Sequence, residues 1–152
     1  MAKEKPKLPL EHHYSAGGVL FRRSSETVEV CLIKPAGKDR WQLPKGMIDT
    51  GEKAPETAVR EILEETGHRG RVQGEKLRDV EYWYVDKYGP TPKRVHKKVT
   101  FFLLELERED EGKPDPVEVA EARFFSIDDA TKKIEFASER EVLDLARARM
   151  TG

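Results

Sequence analysis

"PKGMIDTGEKAPETAVREILEETGHRG", residues 44–70, is the stretch on which the fold turns. Pro55 suits the first turn of a helix, Glu56 complements its positive N-terminal end, and Gly67 is placed to stop it. At about 100° per residue, Val59, Ile62 and Leu63 form one stripe, while Glu61, Glu64 and Glu65 form another, displaced from it. The apolar stripe predicts docking onto a sheet, and the acidic stripe then faces a cleft or water. Like charges three and four residues apart on a helix repel by roughly 0.2–0.5 kcal/mol per pair. The crowding therefore marks either a solvated face or a place where something positive sits. Arg60, four residues before Glu64, can brace that carboxylate, and Glu52 is a second candidate partner for it.

Strand signals flank this helix. "YSAGGVLF" (14–21) reads as a strand in which Gly17 and Gly18 signal a bulge or a close backbone approach. "SSET" is a turn, "VEVCLIK" (28–34) a second strand, and the Gly/Pro-rich run 35–53 a loop leading into the helix. An extended region from about Val72 to Val85 and a turn at "DKYGPTPK" precede a long strand, "HKKVTFFLLELE" (96–107). Val99, Phe101 and Leu103 point to one side of it, and Thr100, Phe102, Leu104 and Leu106 to the other. Two apolar sides predict a central strand covered on both faces. "REDEGKPDP" (108–116) is a charged loop, and "ARFFSI" (122–127) a short strand. Ser126 and Asp129 open a small helix. The last helix is expected to start at "SERE", with Ser138 and Glu141 at capping-box spacing and Val142, Leu145 and Ala146 facing inward. Strands interleaved with two main helices imply an α/β fold, a mixed sheet between helical layers.

The chain of 152 residues is expected to form a loose, charged tail over 1–12 and one domain over 13–152. Lys and Arg number 28 against 29 Asp and Glu, so no global field favours long nucleic acid or a membrane, and any anionic ligand must be held by local charge. No apolar stretch reaches the roughly 20 residues of a spanning helix, and the first residues lack a signal-peptide core. The single Cys31, in an apolar run, reads as a buried structural thiol and excludes an internal disulfide. A cytoplasmic location is the expectation. Monomer and homodimer are both compatible with the sequence.

Three carboxylates on one rigid helix suit a hard divalent cation, which takes oxygen ligands. Mg²⁺ keeps several waters and borrows phosphate oxygens from its substrate, so a few glutamates suffice. The wider spacing sharpens this. Gly46, then Glu52, Arg60-Glu61, Glu64-Glu65 and Gly67 resemble the Nudix box at its characteristic intervals. Seven fixed residues at roughly 7% background each match a given start with a probability on the order of 10⁻⁸. "SAGGVLF", "WQLPKG", "RVHKKVTFFLLE" and "EARFFS" follow the order of the same family, whose resemblance covers the chain from about His13 to the last helix. One departure is His68, where the family usually has an aliphatic residue; a half-covered structural role is expected for it.

The resemblance implies an α/β/α sandwich and hydrolysis of a nucleoside diphosphate linked to another group, with Mg²⁺ (or Mn²⁺) as cofactor. By motif position, Glu61 and Glu65 are expected metal ligands, Glu64 binds directly or through water, and the Gly46 carbonyl contributes an oxygen. Glu52 and Arg60 organise the loop–helix junction. Glu64 and Glu118 are the candidate general bases.

For the substrate, "PKG" and residues 81–105 look most like the branch that cleaves diadenosine polyphosphates. Tyr82 and Tyr84 share one face of an extended segment and Trp83 takes the other; aromatic faces stack on bases at roughly 1–3 kcal/mol. Lys45, Arg94, His96, Lys97 and Lys98 are candidates to neutralise a long polyphosphate, while Trp41 packs beneath the catalytic loop. The expected ligand is therefore a small-molecule nucleoside polyphosphate. A diphosphoinositol polyphosphate and a non-catalytic nucleotide-binding module on the same fold are the alternatives.

Overall fold

The computed structural model describes residues 8–109 and 112–151. Seven strands make one mixed sheet in the order β4-β6-β1-β2-β7, with β3 on β1 and β5 on β6. In chain order these are β1 (Leu10–Arg23), β2 (Val28–Pro35), β3 (Lys45–Met47), β4 (Arg69–Val72), β5 (Arg78–Asp86), β6 (Lys93–Arg108) and β7 (Val119–Ser126). The helices are α1 (Ala54–Thr66), α2 (Ile127–Lys133) and α3 (Ala137–Thr151).

The long strand β6 is the spine, and its two apolar sides seed two cores. Val99, Phe101 and Leu103 join Val19, Phe21, Val30 and Leu32 beneath α2 and α3. Phe102 and Leu104 join Ala16, Leu20 and Cys31 beneath Ala58 and Ile62 of α1. Burying a side chain such as Ile62 contributes about 1.5–3 kcal/mol, and both faces of the sheet gain it. The result is the α/β/α sandwich that the pattern implies. Burial pushes the Cys31 thiol up to about 12, so it stays protonated in the core.

Helix α1 follows its local rules. The Glu56 carboxylate accepts from the Lys53 N–H at 3.1 Å, and Gly67 ends the helix in the left-handed region at φ 81°. The inward stripe is centred on Ala58 and Ile62, with Val59 at its margin. His68 is half-buried, tilted against the Phe124 ring at 5.3 Å between centroids.

Three expectations are corrected. The strand β1 begins at Leu10, inside the stretch expected as a loose tail, because Leu10, Glu11 and His12 pair in parallel with Arg94, Val95 and His96 of β6; residues 1–7 of that tail lie outside the described residues. The last helix starts at Ala137, and Ser138 is not its cap: its hydroxyl lies 3.2 Å from the Tyr82 hydroxyl. Its buried face is Glu139, Val142, Leu143 and Ala146, with Leu145 at the surface. The Ser126 reading holds, since its hydroxyl accepts from the Asp129 N–H at 3.1 Å. Of the charged loop 108–116, residues 110 and 111 lie outside the described residues.

The sheet opens a place for the acidic helix. The first half of β1 pairs with β3 and its end with β2, so β1 hands its edge from one strand to the other. The loop carrying β3 approaches closely because a Cβ at Gly17 would collide with the Pro44 carbonyl, and no side chain fits there. This brings Gly46 beneath α1.

Candidate active site

Arg60 organises the acidic stripe. Its Nε and one terminal nitrogen donate to the two oxygens of Glu52 at 2.8 and 2.9 Å, a bidentate pair. The other terminal nitrogen donates to Glu61 Oε1 at 2.8 Å and to both Glu64 oxygens at 3.3 Å. The nitrogen on Glu52 also reaches the Met47 carbonyl at 3.0 Å and lies 3.3 Å from Asp49. Glu52 further accepts from the Thr57 hydroxyl at 2.6 Å and the Asp49 N–H at 3.2 Å. Held first by Arg60, the Glu52 carboxyl is drawn down to about 2. One guanidinium thus ties the 47–52 loop to α1, as the spacing of Glu52 and Arg60 implies.

Glu65, and Glu61 beyond its bond to Arg60, lie against β3. The Lys45 N–H donates to Glu65 Oε1 at 2.7 Å. Gly46 lies against Glu61, where any Cβ would fall inside the carboxylate. Burial pushes Glu65 up to about 8, with the charges of Glu61 and Glu118 adding to the rise. Glu61 is raised as well, by burial first, with Glu64 and Glu118 contributing. Glu118 sits just ahead of β7, exposed, and close enough for both carboxylates to feel its charge. A cation placed among these carboxylates would favour their ionised forms.

The donor set fits a hard divalent ion with few protein ligands. Among the described residues no group of three or more His, Cys, Asp and Glu side chains is placed to hold a metal ion, so the protein could offer at most two carboxylates. Glu61 and Glu64 both accept from Arg60, but Glu64 is turned to solvent while Glu61 is held against Gly46, so Glu61, Glu65 and the Gly46 backbone are the oxygens gathered at β3. Two carboxylates with a carbonyl, water and substrate oxygens completing the shell is the Mg²⁺ pattern rather than a cage.

A pH dependence follows. An acid whose folded pKa is raised to about 8 costs stability wherever it ionises, from nothing at low pH to the full penalty above that value. In chelator, the melting temperature is therefore expected to fall by roughly 5 °C between about pH 5 and pH 8.5. Glu52 acts oppositely, but its contribution is lost only as pH drops toward 2, outside this window. Scanning calorimetry across that range checks it. A melting temperature that rises toward pH 8.5 would contradict the burial of Glu65.

The predicted substrate residues are divided by the sheet. Lys97 and Tyr82 lie on the α3 face, where Tyr82 packs at the core margin. Burial and the nearby Lys45 charge lower the Lys97 pKa, which places the two ammoniums close together. Tyr84 shares that face but is exposed. Lys98, His96 and Arg94 alternate to the α1 face. There Lys98 Nζ lies 5.5 Å from the Tyr14 ring centroid, His96 stacks on Trp83 at 4.3 Å, and Arg94 Nε donates to the Leu8 carbonyl at 3.1 Å. The five side chains do not form one continuous groove. Trp41 packs edge-on against Phe125 at 4.9 Å, as a structural residue would.

Two residues near the loop carry no signal in the sequence. Glu139, on α3, is fully buried and accepts from the Leu43 N–H at 2.8 Å and from Lys45 Nζ at 2.6 Å. Phe136 presents its ring 5.6 Å from the same ammonium. Lys45, a candidate phosphate ligand, thus has its charge held by Glu139.

Comparison with known proteins agrees with the box. The chain is 34% identical over 146 residues (89% of this chain, 54% of the relative) to a Mycobacterium tuberculosis protein provisionally named mutator protein MutT4. It is 36% identical over 138 residues (85% and 39%) to the 8-oxo-(d)GTP phosphatase of Mycolicibacterium smegmatis. The chain spans about half or less of the length of these curated relatives. Among solved structures, a Caenorhabditis elegans Ap4A hydrolase binary complex superposes with a TM-score of 0.73 at 23% identity, over 92% of this chain and 98% of that one. Residues 11–146 match the NUDIX domain, and with the box glutamates gathered at β3 the chain belongs to the NUDIX domain family.

Proposed function

We propose that the chain hydrolyses a diphosphate linkage in a nucleoside polyphosphate, using a divalent cation held by Glu61 and Glu65 with the Gly46 carbonyl. The observation that carries this reading is the pair of half-buried carboxylates, raised by burial and facing Gly46, with Arg60 satisfying their neighbours. The bound cation supplies charge neutralisation on phosphate oxygens and an aligned water. The chain's own residues position it. Arg60 fixes Glu61 and Glu64, and the Lys45 amide fixes Glu65. Glu64 and Glu118 are the proposed general bases, both exposed and therefore within reach of water.

Dinucleoside polyphosphates such as diadenosine tetraphosphate are the first substrate class, supported by Tyr82 beside the Lys45–Lys97 pair. A second reading, an oxidised nucleoside triphosphate, is favoured by the 36% identity to an 8-oxo-(d)GTP phosphatase over 85% of the chain. The division of the cations across the sheet favours it too, because two ammoniums on one face suit a short phosphate chain better than a long one. No helix among the described residues is long and apolar enough to cross a membrane.

Hydrolysis of diadenosine tetraphosphate, 8-oxo-dGTP, ADP-ribose and an inositol pyrophosphate with Mg²⁺, resolved by chromatography, tests the assignment. ATP plus AMP from the tetraphosphate is expected, because the ion is fixed relative to one bound nucleotide. Preferential release of a nucleoside monophosphate from 8-oxo-dGTP would select the second reading. Absence of Mg²⁺-dependent turnover on the whole panel would defeat both.

A further inference from the structure

Lys45 serves two partners in opposite directions. Its backbone amide donates to Glu65, while its ammonium is drawn to Glu139 on α3, 94 residues away in sequence. The Glu139 carboxylate is 0% exposed, and both its oxygens are spent on this loop, one on the Leu43 N–H and one on the ammonium. A fully buried carboxylate must be paired, and Lys45 supplies the charge.

We propose that Glu139 is a positioning residue that keeps the Lys45 ammonium out of the acidic cluster, so that Glu61 and Glu65 stay open to a divalent cation. The inference rests on the metal-dependent reading above. A lysine side chain has four rotatable bonds, and the strand anchors Lys45 directly beside Glu65. Freed from Glu139, its ammonium is left with the acidic cluster on the other side of the loop, starting with Glu65. Glu65 already feels its charge in the folded protein. Lys97 lies close enough to repel it from the α3 side. A lysine that settles among the glutamates does what a cation does there, and the two compete.

Glu139→Gln isolates this role, because the amide oxygen still accepts from the Leu43 N–H while the charge is lost. Mn²⁺ binding to metal-stripped protein, read by electron paramagnetic resonance, is compared for wild type, Glu139→Gln, Lys45→Met and the double variant. Glu139→Gln is expected to weaken Mn²⁺ binding roughly tenfold, the effect of one competing charge in a partly screened cleft. Adding Lys45→Met should restore wild-type affinity, since methionine keeps the apolar stem without the charge. A structural role for Glu139 predicts no such rescue. Wild-type binding by Glu139→Gln, or a double variant as weak as the single one, overturns the proposal. Should Glu139→Gln lose its cooperative melt, the double variant decides alone: wild-type affinity supports the proposal and weakened affinity overturns it. If the wild type itself binds no Mn²⁺, the metal reading fails first, which separates the two failures.

Discussion

Glu65→Gln is expected to lower turnover by roughly 10²–10³-fold at saturating Mg²⁺, with the fold intact. The amide oxygen still accepts from the Lys45 N–H that Glu65 holds at 2.7 Å, so the loop keeps its position. What is lost is the negative charge that holds the cation. The same substitution should raise the melting temperature in chelator at about pH 8, because burial and the neighbouring Glu61 and Glu118 charges make the ionised Glu65 costly. A gain in metal-free stability with a loss of activity distinguishes a functional carboxylate from a structural one. Steady-state kinetics and calorimetry on the same samples measure both. Turnover near wild type would remove Glu65 from the catalytic centre.

Arg60→Ala should produce the largest loss of stability among the site substitutions, on the order of 1–2 kcal/mol after solvent screening of a part-exposed network. Removing the guanidinium takes the shared partner from Glu52 and Glu61, which have little access to water, and from the exposed Asp49 and Glu64, and it frees the 47–52 loop from α1. Glu52 suffers most, since Arg60 is the chief reason that its carboxyl is held down to about 2. Arg60→Lys should recover little of this, because a single ammonium cannot make the bidentate pair and reach Glu61 and Met47 as well. Millimolar Mg²⁺ should restore part of the melting temperature by neutralising Glu61. Denaturant melts with and without Mg²⁺ test this. A loss below about 0.5 kcal/mol would mean the network is a set of weakly coupled surface pairs.

The sequence by itself determined what depends on near neighbours and on periodicity. Helix α1 was legible from Pro55, Glu56 and Gly67, since caps and φ preferences act over four or five residues. The two-sided core of β6 was legible because alternation survives in any sheet, and Phe101 and Phe102 do enter separate cores. The Arg60–Glu52 pair followed from the spacing of the box, which lies within one loop–helix unit.

Only the tertiary structure decided the rest. Strand β3 has three residues, one of them glycine, and forms because β1 offers it an edge, not from any pattern of its own. Leu10, Glu11 and His12 look like a charged tail until β6 pairs with them in parallel. Ser138 and Glu141 have the spacing of a helix start, yet Ser138 meets Tyr82, and Glu139 between them is buried against a loop residue 94 positions earlier. Alternation alone puts Lys97 and Lys98 on opposite faces of the sheet, but the fold decides that one comes near Lys45 and the other lies over Tyr14. The physical reason is common to the first three. A buried charge or an unpaired strand edge is satisfied by whatever the fold brings to it, and sequence separation sets no limit on that partner.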